Sequence, residues 1–81
     1  MLLQDYQKYK SEYPDAIIWM ILNNYVHSFS DCAILTAKTL KTPLLNKTKD
    51  KYCFTGFPKT ELHENLTKMI VLNHRIVFIT Y

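Results

Sequence analysis

One glycine, one arginine, one tryptophan and two cysteines in 81 residues make a short inventory, and each scarcity closes off a class of chemistry. With Gly56 alone, no glycine-rich loop can wrap a nucleotide phosphate. With Arg75 alone, the side chain best suited to bidentate reading of guanine is nearly missing. Cys32 and Cys53 read as free thiols: with His27, His63 and His74 they show neither CxxC nor HxxxH spacing, so no metal site is expected. None of the seven acidic residues stands two positions before a lysine, the arrangement a carboxylate-pair nuclease needs. No catalytic residue is assigned, no cofactor or small-molecule substrate is expected, and the chain is not read as an enzyme. The longest apolar run, Ala16 to Leu22, is far below the roughly 20 residues of a membrane span, and no secretory leader pattern opens the chain. The expectation is a soluble, cytoplasmic protein with no membrane partner.

What is present argues for one folded domain over residues 1–81. Hydrophobic residues are 48% and aromatics 14%, too many for a disordered chain. A domain this small buries only about 60% of the surface its unfolded chain exposes, so a partner can matter to its stability. Leu2, Tyr6 and Tyr9 repeat at helical spacing up to Ser11, and Pro14 ends that helix. Ala16 to Leu22 reads as an interior strand, with Asn23 and Asn24 as the turn into a second helix. That helix is expected to carry Val26, Phe29, Ala33, Ala37 and Leu40 on its buried stripe, with Cys32 adjacent, until Pro43 stops it. Leu44 to Lys47 and Tyr52 to Thr55 flank a polar tip and predict a hairpin. Gly56, Phe57 and Pro58 predict a turn needing a permissive backbone, followed by a helix capped by Thr60. Its stripe is Leu62, Leu66, Met69, Ile70 and Asn73, with Asn73 as a left-handed stop. Ile76 to Ile79 then read as a strand covered on both faces. The order is α-β-α-β-β-α-β, an α/β domain whose mixed sheet carries helices on its faces, with the two long apolar strands central and the hairpin toward an edge.

These segments, in this order, resemble the N-terminal mismatch-recognition domain, domain I, of the MutS DNA mismatch repair family along essentially the whole chain. QDYQKYKSEYPD at Gln4 to Asp15 is similar to the family's opening QYLRLKAEHPD. NNYVHSF at Asn23 to Phe29 stands where the family has GDFYELF, and SDCA at Ser30 to Ala33 where it has YDDA. Thr55 to Tyr81 is similar to AGIPYH followed by the helix VENYLAKLV and a closing strand. In that family the signature is Phe-x-Glu, in which the phenylalanine stacks on a mispaired base and the glutamate hydrogen-bonds to it. The resemblance places those positions on Tyr25 and His27. It also replaces the Gly-Asp pair by Asn23 and Asn24, and the Tyr-His pair after the proline by Lys59 and Thr60. A tyrosine keeps a π face for stacking, whereas a histidine does not reproduce a carboxylate's acceptor geometry. The reading site is altered: a MutS domain I-like module with a degenerate motif.

Charge gives a separate indication. Residues 38–59 hold Lys38, Lys41, Lys47, Lys49, Lys51 and Lys59 against Asp50 alone, a local +5, while residues 1–37 carry −2 and residues 60–81 none. Such a lysine-bearing ribbon can neutralise phosphates without reading sequence, although lysines also protect sheet edges from aggregation. Two functional readings follow. In the first the chain is a stand-alone module that binds double-stranded DNA weakly and without sequence preference, in mismatch repair or DNA recognition, through Asn24, Tyr25, His27, Lys47, Lys49, Lys51 and Lys59. In the second it has kept the fold as a protein-interaction or self-assembly module, pairing with a MutS-type repair protein or with itself as a homo-oligomer. The residues favour the first.

Overall fold

Five of the six residues of IIWMIL at Ile17–Leu22 are buried, and this segment forms the strand β1 on which the domain is built. A computed structural model describes residues 2–47 and 52–81. The elements that follow the opening helix α1 (Leu2–Glu12) and β1 (Ile17–Leu22) are β2 (Tyr25–Phe29), α2 (Ser30–Leu40), β3 (Leu45–Lys47), β4 (Tyr52–Pro58), a 3-10 turn (Lys59–Glu61), α3 (Leu62–Val71) and β5 (Ile76–Thr80). The sheet is mixed, in the order β3-β4-β2-β1-β5. Among the described residues the β1–β5 pair is parallel and the other three ladders are antiparallel.

The α/β class, the mixed sheet and the β3–β4 hairpin stand as read. One strand was hidden. YVHSF is β2, not the first turns of a helix, and its burial alternates: Val26 and Ser28 are buried while Tyr25, His27 and Phe29 are not. Val26 and Phe29 fit a helical i, i+3 spacing as well as a strand, and only the preceding turn separates the two. That turn is Asn23 and Asn24, both with positive φ (54° and 62°), which is the two-residue connection whose twist matches a β-hairpin. The observed order is therefore α-β-β-α-β-β-α-β, and α2 begins only at Ser30. Its buried residues are Cys32, Ala33, Thr36 and Ala37, and Lys41 in the left-handed region ends it two residues before Pro43.

The register divides the sheet's side chains into two layers. Ile17, Trp19 and Ile21 share a face with Val26, Phe57 and Phe78, and Trp19 at the centre has no exposed surface. Its indole donates to Thr36 Oγ1 on α2 at 3.1 Å and meets Phe57 edge-on at 5.1 Å, which fixes α2 on this face with α3 beside it. The opposite face carries Ile18, Met20, His27, Phe29 and Gly56, and α1 packs there through Tyr6 against Phe29. The buried Tyr6 hydroxyl, held protonated by desolvation and its contact with Cys32, donates to that thiol at 3.5 Å.

Two further expectations change. β5 is an edge strand rather than a central one, and its residues are half-buried or exposed. An apolar run alone does not say whether both sides of a strand are paired. Thr60 does not cap α3: it lies inside the 3-10 turn, and α3 starts at Leu62 without a side-chain cap. Along α3, Leu62, Leu66 and Met69 face inward as expected, Asn65 joins them, and Ile70 is 56% exposed. Asn73 is left-handed (φ 63°), and its N–H bonds Ile70 O while that of His74 bonds Met69 O, the paired closure of a Schellman stop. The contrast between neighbours is measurable in urea unfolding. Met69→Ala is expected to cost about 2–5 kcal/mol by emptying a fully buried site, and Ile70→Ala to stay within about 0.5 kcal/mol.

Candidate nucleic-acid interface

The Asn23–Asn24 turn makes Tyr25 the first residue of β2, opposite Leu22 on one side and Pro58 on the other. Two residues on, His27 stands opposite Met20 and Gly56. Residues two apart on a strand share a face, and the two rings meet at 5.3 Å between centroids, tilted by 54°. Tyr25 is 41% exposed, so its ring is available as a surface, while His27 is half-buried. The backbone of the turn is tied down on its far side, where Lys59 N–H donates to Asn24 O at 2.9 Å. Pro58, which has no N–H to give, ends β4 at that point.

Gly56 explains why the Tyr25 ring lies where it does. The glycine is inside β4 with an ordinary strand backbone, not in a turn, and its φ is not positive. A Cβ placed there would come within 2.5 Å of Tyr25 Cε2 and of Val26 O. The missing side chain is the space the phenol ring occupies. A strand-interior glycine signals this close approach, and in YCFTGFP it takes the next alternate position after Tyr52 and Phe54.

His27 is desolvated by partial burial, which holds its imidazole below the ordinary value of 6.5; the Leu22 backbone opposes this without reversing it. The ring is therefore neutral at pH 7, a donor at one nitrogen and an acceptor at the other.

The expected site residues fall into two groups. Asn24, Tyr25, His27 and Lys59 gather at one end of the sheet, with Lys59 exposed. Lys47 pairs with Tyr52 at the start of β4, six positions from Pro58, which places its backbone about 20 Å from the Tyr25 end. Lys49 and Lys51 lie outside the described residues. Among the described residues no group of three or more His, Cys, Asp or Glu is placed to hold a metal ion, and no helix is long and apolar enough to cross a membrane.

Two outcomes test this geometry. Gly56→Ala is expected to destabilise the fold by about 1–3 kcal/mol, because one of the two close contacts is backbone and cannot rotate away, and to move the Tyr25 ring resonances in an NMR spectrum. For His27 the unfolded chain binds the proton first as pH falls, so its contribution to stability is complete above pH 6.5 and is lost below that value, through the folded-state titration. A ring titration midpoint below 6.5, and a flatter acid limb of stability in His27→Gln, are the expected results; a midpoint at or above 6.5 contradicts the assignment.

The sequence model described as MutS domain I matches residues 1–80 of this chain. The chain is also similar to proteins named DNA mismatch repair protein MutS from three organisms. It is 24% identical to that of Sorangium cellulosum over 78 residues, covering 93% of this chain and 8% of the relative. It is 25% identical to that of Methanothrix thermoacetophila over 79 residues and 27% identical to that of Christiangramia forsetii over 77 residues, each covering 93% of this chain and 9% of the relative. The chain thus spans less than a tenth of the length of these relatives. An α/β sheet of this order, matched from its first helix to its last strand, supports one conclusion: the chain belongs to the MutS domain I family.

Proposed function

We propose that this chain is a DNA-contacting module of the mismatch-repair type, which holds duplex DNA by its backbone and rests one aromatic ring against a distorted base. The observation that carries the reading is Tyr25, a partly exposed ring seated over Gly56, and the sequence resemblance is what sets it against the family's stacking phenylalanine. Stacking requires only a π face and a fixed orientation, and the glycine seat supplies the second. His27, neutral near pH 7, stands beside it in place of the family's glutamate and offers one acceptor nitrogen rather than a carboxylate. Strong preference for a mismatch over a matched pair is not expected from that substitution.

Affinity in this reading comes from lysines. Lys59 lies at the Tyr25 end, and Lys47, with Lys49 and Lys51 next to it in sequence, belongs to the other end of β4. A separation of about 20 Å corresponds to roughly six phosphates along one strand at 3.4 Å each, a span that a duplex provides without bending. The duplex partner is therefore favoured over a small ligand. The chain performs no chemistry in this reading: it positions DNA, and any further step belongs to a MutS-type protein acting with it.

The test is a titration of the protein against matched duplex, mismatched duplex and single strand at about 50 and 200 mM salt. Binding is expected to weaken steeply with salt, and replacing Lys47, Lys49 and Lys51 together by alanine should flatten that dependence by about one unit of slope per lysine. Tyr25→Ala is expected to cost about 1 kcal/mol, at the low end for a stacked base. Absence of binding at the lower salt overturns the proposal and favours the interaction reading.

A further inference from the structure

The two edges of the sheet are built differently. β3, at one end, is three residues long, includes Lys47, and belongs to a lysine-rich hairpin. Short strands and lysines are how natural proteins keep an edge from pairing with another chain. β5, at the other end, is Ile76-Val77-Phe78-Ile79-Thr80, with no charge, proline or glycine. Arg75 O accepts from Ile17 N at 2.7 Å and Tyr81 N donates to Ile21 O at 3.1 Å. Strand alternation between these two bonds turns the backbone groups of Val77 and Ile79 toward β1 and those of Ile76, Phe78 and Thr80 away from it. β5 is last in the strand order and pairs with β1, so among the described residues no strand covers that outer row. Phe78, on the strand itself, is 40% exposed, and the end of α3, the helix that leads into β5, leaves Ile70, Val71 and Leu72 56%, 73% and 56% exposed.

We propose that β5 is a dimer seam at which a second copy of this chain adds its own β5 antiparallel, centred on Phe78. In that register Phe78 faces Phe78 of the second copy and Ile76 faces its Thr80, so each facing pair in the outer row exchanges both of its hydrogen bonds. Val77 faces Ile79 on the other side of the sheet, and the apolar layers of the two copies become continuous. Charge selects a second copy over an unrelated strand. Arg75, exposed at the entry of β5, meets the exit of the partner strand, where Tyr81 donates its phenol to Asp5 on α1. By the pleat, Arg75 and Tyr81 share the sheet face that carries α1, so each guanidinium reaches the other copy's Asp5 carboxylate, twice by symmetry.

Sedimentation equilibrium on the 81-residue chain, from micromolar to a few hundred micromolar, reads the outcome. The mass is expected to rise from 9.6 kDa toward twice that value. Thr80→Pro removes an outward N–H that bonds no backbone group of its own chain, and should leave the circular dichroism unchanged while holding the protein at the single-chain mass. Arg75→Glu should weaken association about tenfold by setting like charges against each other, and adding Asp5→Arg should restore it. A wild-type chain that stays at 9.6 kDa throughout overturns the proposal. So does a dimer that survives Thr80→Pro, or an Arg75→Glu defect that Asp5→Arg leaves unrepaired.

Discussion

Two consecutive asparagines with left-handed backbones, Asn23 and Asn24, determine most of what this domain presents to its surroundings. A chain that turns through two positive φ values returns antiparallel to itself, and so β2 pairs with β1 instead of leaving as a helix. The pairing carries consequences across the sheet. It puts Val26 and Ser28 into the layer under α2, and it turns Tyr25 and His27 together onto the opposite face. It also brings β4 alongside β2, with Gly56 under the tyrosine ring. Had β1 led directly into a helix, the lone glycine would have had no ring to accommodate. Asparagine, unlike a β-branched residue, tolerates that conformation at small cost, so the turn is compatible with the sequence even without the glycine that such turns favour.

Much of this was legible in the residues, and what was not has identifiable physical causes. The strand Ile17–Leu22, the later part of the second-helix stripe at Ala33, Ala37 and Leu40, the hairpin and the Asn73 stop are written in periodicity and turn chemistry that have one reading. YVHSF has two. Five residues are too few to distinguish a period of two from one of 3.6, and Val26 with Phe29 satisfies the helix while Val26 with Ser28 satisfies the strand. The edge position of β5 was illegible for a different reason. Burial of an apolar run reports the layers above and below it, whereas sheet order depends on which strands are neighbours in space, a matter of topology rather than composition. Gly56 sits between these cases: its scarcity marked it, but a turn and a close approach both need a glycine, and only the register of β2 on β4 decides between them.

The site shows a similar division between chemistry and placement. Tyr25 and His27 are joined by strand spacing, a constraint that the sequence contains once β2 is recognised. The lysines are joined only by composition. Lys59 belongs with Tyr25 because its N–H closes on Asn24, while Lys47 belongs to the far end of the same ladder. A cluster of charge along a sequence is therefore two surfaces in space, and a ligand that meets both must be long.

A domain of this size has little apolar surface to spare, which gives weight to where the remainder is left. Trp19 gathers Phe57, Phe78 and α2 around one buried ring, and the fully buried residues concentrate in β1 and the elements that touch it. The exposed apolar residues are not scattered evenly. Ile70, Val71 and Leu72 are exposed at the end of α3, and Phe78 is exposed on β5, a strand with no charged residue between Arg75 and Tyr81. The hairpin edge is shorter and its sequence is rich in lysine, although Leu44 and Leu45 are exposed there as well. Backbone groups in water lose little by staying unpaired, but an uncharged strand edge with an exposed phenylalanine on it is a surface with which another strand can pair. The strand order sets the lysine-bearing hairpin strand at one edge and the uncharged β5 at the other, with β4, β2 and β1 between them.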